Sequence, residues 1–197
     1  MVIYIYDIKE KYTLRLKKML VPEAMYNDIY EISAEELVAR NKKGVIFDID
    51  NTVAPYEIAT PTDEMKAYFS SLVGAGLRIA FVSNNKHDRA RIFTAELGFF
   101  FVSDASKPSP KGILRCIDHL ECTKEEALLV GDQIFTDCLA AHRAGIECFL
   151  VKPIKDKPTA FFRLKRRLEK PFIKIYTARK AKKAEKEKEK EKKNEKN

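Results

Sequence analysis

In the stretch GVIFDIDNTVAPYE, residues 44–57, an apolar run ends in two carboxylates, Asp48 and Asp50, one residue apart. Such a run suits a strand buried on both faces, yet adjacent like charges at its end repel and resist ionising together. Ser83 and Asn84 stand at the end of the apolar stretch 77–83, and Asp132 closes the stretch 126–132. Three carboxylates, a hydroxyl and an amide therefore sit at the ends of separate apolar segments. A hard divalent cation held by the carboxylates would offset their repulsion and also bind a phosphate oxygen, so Mg2+ is the expected ion.

The elements that must position these residues follow from the alternation of apolar and amphipathic stretches. After the strand at 44–49 the pattern predicts a helix over 62–73, a strand over 77–83, a helix over 88–97 and a short strand at 99–103. A helix over 110–120, a strand at 126–132, a helix over 135–144, a strand at 147–151 and a basic helix over 159–168 complete it. This βαβα order implies an α/β fold: three layers, Rossmann-like, with a mostly parallel central sheet and helices on both faces. Ligands of such sheets bind outside the carboxyl ends of the strands, where the candidate residues stand.

Composition sets the limits. A chain of 197 residues, 45% hydrophobic, is long enough for one packed domain with a decoration at an end. The domain is expected over 41–176, preceded by an N-terminal helical extension over 1–40. The net charge of +8 is concentrated in residues 177–197, which carry ten Lys/Arg against five Glu. With alanine as its sole hydrophobic residue type, that tail is expected to be disordered or a frayed, solvated helix. It serves solubility or an attraction to nucleic acid or anionic lipid. No run approaches the roughly 20 apolar residues of a membrane span, and the N-terminus does not read as a signal peptide, so a cytoplasmic location is expected. Cys116, Cys122, Cys138 and Cys148 have no zinc or disulfide spacing and are expected as reduced, mostly buried thiols. His87, His119 and His142 lack metal-ligand spacing; His87, near the proposed site, could touch substrate.

Each motif also has an ordinary reading. Asp48 and Asp50 could form a turn, Ser83 and Asn84 could cap the next helix, and Gly131 with Asp132 could be a plain strand-to-helix turn. Their joint order argues otherwise. DIDNT, FVSNN, KPSP and VGDQIFTD resemble the four successive motifs of the haloacid dehalogenase-like (HAD) phosphohydrolases. The resemblance implies Asp48 as a nucleophile forming an aspartyl phosphate and Asp50 as the acid and base that serves the leaving group and then water. It implies Ser83 as a hydrogen-bond donor to the phosphoryl group and Lys107 as the positive charge beside it. Lys107 is preferred to Lys111 because Lys-Pro in a loop is the family's pattern. Asp132 would complete a magnesium site with Asp48 and the backbone carbonyl of Asp50, supported by Asp137, while Thr52, Asn84 and Asn85 would contact substrate.

Family members acting on small metabolites often insert a cap domain after the first or second motif. Here the intervals from Asp50 to Ser83 and from Ser83 to Lys107 have room for little beyond a helix and its connections. The expected enzyme has no large cap domain (the family's subclass IIIA) and has an open site suited to a large substrate. IYEIS, DIDNTV, VGDQIFTDCLAAHRAG and LVKPI look like the YqeG-type subfamily, which is similar to the mitochondrial phosphatase that makes phosphatidylglycerol from phosphatidylglycerophosphate. The usual form has glycines and an asparagine where this chain has Ala140, Ala141 and His142. The implied substrate is a phosphorylated lipid headgroup at an anionic membrane surface. LRLKKML at 14–20 and the segment 159–176 mix basic with apolar residues as an interfacial helix does, or as an ordinary amphipathic surface helix does. The location is then peripheral on the inner face of the cytoplasmic membrane. Alternatives are another phosphomonoester, such as a nucleic-acid end, a phosphoprotein or a sugar phosphate, and a non-catalytic protein docked on RNA or the ribosome by its basic tail.

Overall fold

The structure is a computed structural model and describes residues 18–85, 88–155 and 159–194. Pro22–Asp156 form one compact unit. Its centre is a six-stranded sheet whose paired strands are all parallel: β1 (Ala24–Tyr26), β2 (Gly44–Asp48), β3 (Arg78–Val82), β4 (Phe100–Val102), β5 (Ala127–Gly131) and β6 (Glu147–Val151). The spatial order β1-β6-β5-β2-β3-β4 places β2 and β5, both buried throughout, at the middle. From β2 the chain builds outward through β3 and β4, then returns to build β5 and β6 on the other side. The crevice between β2 and β5 is thus the topological switch point, where open α/β sheets bind ligands.

The helices follow from local chemistry. α1 (Ala34–Ala39) and α2 (Asp63–Gly74) are capped by Ser33 and Thr62, whose hydroxyls accept from Glu36 N and Met65 N. Acidic residues in both first turns favour the positive end of the helix dipole. α2 buries Met65, Phe69 and Leu72, which share one helical face. Phe69 meets Phe47 of β2 and Phe81 of β3 edge-on, each at 5.2 Å between ring centres. α3 (Asp88–Leu97) and α4 (Lys111–His119) fill the next two crossovers, and α5 (Leu139–Ala144) ends at Gly145 in the left-handed conformation. One helix lies between β2 and β3 and one between β3 and β4, so among the described residues no cap domain is inserted.

One region differs from the expectations and another takes one of its two expected forms. The segment before β2, read as a helical extension, contributes strand β1 at the sheet edge, paired in the register Ala24↔Phe149 to Tyr26↔Val151. Three residues carry too little alternation to announce a strand; the exposed backbone edge of β6 recruits them. Further on, α6 spans Ala160–Asn194 and includes most of the segment expected to be disordered. Ala, Lys and Glu are strong helix formers, and pairs such as Lys183–Glu187 lie one turn apart, so the solvated-helix alternative is the form observed. No helix among the described residues is long and apolar enough to cross a membrane.

Candidate active site

The register of the central strands determines what meets at the crevice. Asp48 pairs with Val82 and Phe47 with Val130, so Ser83 and Asp132 each begin just beyond the level of Asp48. After Ile49 the chain turns sharply, its carbonyl accepting from Val53 N at 3.0 Å and Ala54 N at 3.1 Å. Asn51 takes the left-handed conformation (φ 71°), which asparagine tolerates better than most residues. The turn folds Thr52 back over the strand end, where its hydroxyl donates to Asp48 Oδ2 at 3.0 Å.

Lys107 arrives from the loop after β4, where Asp104 and Ser106 have positive φ and the Lys107–Pro108 peptide is cis. Asn84 clamps it from both sides: Asn84 Oδ1 accepts from Lys107 N at 2.7 Å, and Nδ2 donates to the Lys107 carbonyl at 2.8 Å. The buried ammonium donates to Asp48 Oδ1 at 2.5 Å and lies 2.6 Å from Asp137 Oδ1. The ammonium is thus shared between two carboxylates. Lys111 is exposed at the start of α4, so Lys107 is the lysine brought to Asp48.

A π-turn at Ile134–Cys138 delivers Asp137. The Gln133 carbonyl accepts from both Asp137 N and Cys138 N, and Gln133 N donates to Asp137 Oδ2 at 3.0 Å. Widened turns of this kind recur at functional sites because they re-aim one side chain. Gly131 makes room: a Cβ there would lie 2.5 Å from Asp137 Cβ and 2.7 Å from its Oδ2. Asp48, Asp132 and Asp137, all buried, each offer an oxygen within 4.8 Å of the others. Asp50, also buried, has separate company: Ser83 Oγ donates to Asp50 Oδ2 at 3.0 Å while accepting from Asn85 N at 2.9 Å.

Four buried carboxylates thus surround one buried ammonium. Burial pushes the Asp48 carboxyl well above its usual range; Lys107 pulls it down, and Asp137 and Asp132 push it further up. For Lys107, burial lowers the pKa, but Asp137 and Asp48 more than offset this and leave it raised, so it is a permanent cation. The half-buried Tyr56 phenol is raised by desolvation and then by Asp50, Asp132, Asp48 and Asp137 in turn, which places its loop over the same field. An all-oxygen donor set with surplus negative charge suits a hard divalent cation better than a softer ion.

The contacts of the motif residues add detail to what the sequence motifs imply. Thr52 and Asn84, read as substrate contacts, have their polar groups on Asp48 and on the backbone of Lys107. Ser83, read as a donor to the phosphoryl group, donates to Asp50 Oδ2. Asn85 enters through its backbone N–H to Ser83. Asp137, expected to support the metal site or ligate weakly, lies with Asp48 and Asp132 as a potential ligand, whereas Asp50's side chain lies outside that group. His87 lies outside the described residues; His119 stacks on Phe100 and His142 meets Glu23 at 3.0 Å, neither at this site. Asn51 was overlooked. Its Oδ1 accepts from Lys155 N at 2.9 Å and its Nδ2 donates to the Lys155 carbonyl at 2.7 Å, a clamp of the kind Asn84 makes. The positive-φ turn was the available signal.

Comparison with known proteins agrees with this geometry. The haloacid dehalogenase-like hydrolase family matches residues 28–151. The probable phosphatase YqeG of Bacillus subtilis is 33% identical over 155 residues, covering 79% of this chain and 90% of the relative. Phosphatidylglycerophosphate phosphatase 1, chloroplastic/mitochondrial, of Arabidopsis thaliana is 30% identical over 80% of this chain. The chain spans about half of that relative, 48% of its length. The chloroplastic phosphatidylglycerophosphate phosphatase 1 of Chlamydomonas reinhardtii is 25% identical, with 82% of this chain and 64% of the relative covered.

Proposed function

We propose a specific reaction for a chain that belongs to the haloacid dehalogenase-like hydrolase family and is a phosphatase: Mg2+-dependent hydrolysis of a phosphomonoester through an aspartyl phosphate, with phosphatidylglycerophosphate as substrate. The observation that carries it is the pair of neighbouring carboxylates in two environments. Asp48 is held by the Lys107 ammonium and the Thr52 hydroxyl, whereas Asp50 faces the neutral Ser83 hydroxyl. The Lys107 ammonium offsets part of the burial that raises the Asp48 carboxyl and favours the ionised form a nucleophile needs.

Asp48 attacks phosphorus; the new carboxylate–phosphorus bond forms as the bond to the alcohol oxygen breaks. Asp50 gives its proton to the departing oxygen. Asp50, now a carboxylate, takes a proton from water, whose oxygen attacks phosphorus, breaks the Asp48–phosphorus bond and releases inorganic phosphate. Lys107 stabilises the negative charge that accumulates on the phosphoryl oxygens, while Thr52 and Asn84 keep nucleophile and ammonium in place. Asp48, Asp132 and Asp137 would hold Mg2+, which when bound polarises the phosphoryl group and favours the ionised form of Asp48.

The lipid assignment draws on the names of the plant and algal relatives and on the absence of an inserted cap. α6 is consistent with contact at an anionic surface: Leu164 and Leu168 are exposed one turn apart, amid Arg163, Lys165, Arg167 and Lys170. The test is phosphate release with magnesium from phosphatidylglycerophosphate in anionic vesicles, set against an aryl phosphate, a sugar phosphate and a phosphorylated oligonucleotide. Preference for the lipid, lost on chelation and in Asp48→Asn, is the expected result. Preference for another substrate would overturn the lipid assignment, and no turnover of any of them would overturn the catalytic one.

A further inference from the structure

We infer that Lys155 is a specificity-determining residue that binds a second anionic group on the substrate, a phosphodiester or similar charge lying beyond the scissile phosphate. The inference rests on the phosphomonoesterase reading of the site and adds to it the part of the substrate that is not cleaved.

Placement comes first. Lys155 follows β6, on the same carboxyl edge of the sheet as the site, and three hydrogen bonds tie it to the turn that carries Asp50. The Asn51 carbonyl accepts from Ile154 N at 3.0 Å, and the Asn51 amide brackets Lys155 N and O. Asn51 is itself nearly fully buried and stands next to Asp50 in the chain, so the backbone of Lys155 is held at the rim rather than left to a free loop. Its side chain is 60% exposed, and its ammonium lies 3.3 Å from Glu57 Oε1. Glu57 adjoins Tyr56, whose phenol feels all four site carboxylates. A phenol, a carboxylate and a cation thus stand beside the turn that carries Asp50.

Charge decides what such a rim is for. With Asp50 carrying the proton it donates, three carboxylates against Lys107 leave the site with a formal negative excess that a single divalent cation offsets, with no positive charge left over for a second anion. A substrate carrying one phosphoryl group can be neutralised at the metal and Lys107. A second anion on the same molecule meets repulsion unless a cation stands near it, and Lys155 is a cation whose backbone the Asn51 clamp holds beside the turn that carries Asp50. Stability does not require the lysine. The clamp grips backbone atoms that any residue would supply, and an exposed Lys–Glu pair contributes little to stability. That weak pair is readily exchanged for a phosphodiester oxygen, so Glu57 acts as a placeholder that competes with the substrate.

The test compares two soluble substrates that differ in the second anion: glycerol 3-phosphate, and the deacylated headgroup in which the same phosphomonoester is joined through glycerol to a phosphodiester. With magnesium present, Lys155→Ala raises KM for the doubly charged substrate about tenfold, with kcat within twofold. The KM for glycerol 3-phosphate stays within about twofold. Lys155→Glu enlarges the difference. Glu57→Gln lowers KM for the doubly charged substrate, and the discrimination shrinks at high salt because an exposed cation is screened. Equal KM changes for both substrates, or none, would overturn the inference while leaving the phosphatase intact. Absence of turnover with either substrate and with phosphatidylglycerophosphate vesicles would overturn the catalytic reading and this inference together.

Discussion

Each end of the sheet buries a lysine, and the two lysines have opposite surroundings. At the carboxyl end, Lys107 contacts Asp48 and Asp137, Asp132 lies within reach of both carboxylates, and the buried Asp50 stands two residues beyond Asp48. At the amino end, Lys42 precedes β2, donates to the Glu125 carbonyl at 2.7 Å and lies 3.3 Å from Glu147 Oε2. One ammonium against one carboxylate and one carbonyl is balanced. One ammonium against four carboxylates is not, and such a surplus must be relieved by protonation or by a bound cation. Buried charge by itself therefore does not mark the working end; uncompensated buried charge does.

The largest expected effect is on Asp48. Asp48→Asn keeps the shape and removes the nucleophile, so kcat falls by at least about a thousandfold. Its melting temperature in the absence of metal holds or rises, because one of four crowded charges is gone. A variant that retained a tenth of the activity would break the comparison, since the surplus charge would then have no catalytic purpose. Lys107→Met follows, with kcat lower by about a hundredfold or more and stability reduced by about 3–5 kcal/mol as buried carboxylates lose their cation. Lys42→Met at the opposite end should lose about 1–2 kcal/mol for its carbonyl hydrogen bond and leave kcat unchanged. Steady-state kinetics and chemical denaturation of the three variants read both quantities.

Asn84→Ala sharpens the distinction between touching substrate and positioning what touches it. Without its side chain the Lys107 backbone loses both clamps, and kcat falls about tenfold or somewhat more. A substrate contact would raise KM instead, so the split between the two constants decides the role.

Residue type and strand position made the carboxyl end partly legible beforehand. Asp48, Asp50 and Asp132 each stand at the end of an apolar run, because a buried parallel strand tolerates few polar residues before its end. The direction in which a polar side chain turns was not legible. Thr52 and Asn84 carry groups that suit a substrate equally well, and the turn at Asn51 and the loop before Lys107 decide that they face inward. Asp137 needed a π-turn that no periodicity announces. β1 needed an edge on β6 formed by residues more than a hundred positions away, and the helicity of the tail depended on Lys/Glu propensity outweighing its lack of a core.

Two glycines give the smallest and most symmetrical test. Gly131 at the carboxyl end and Gly44 at the amino end are both pressed by a neighbour: an added Cβ would lie 2.5 Å from Asp137 Cβ in the first case and 2.6 Å from Cys122 Sγ in the second. Overpacking of this degree costs about 1–3 kcal/mol in either place, so thermal denaturation should rank Gly131→Ala and Gly44→Ala as near equals. Their effects on magnesium should differ. Gly131→Ala displaces Asp137, whose carboxylate borders both Lys107 and the metal oxygens, so the magnesium concentration for half-maximal activity should rise about tenfold. Gly44→Ala displaces a thiol far from any charge surplus, and its magnesium requirement should match the parent. If both substitutions shifted the magnesium requirement alike, the metal site would be sensitive to general loosening of the sheet, and the separation of a working end from a structural one would fail.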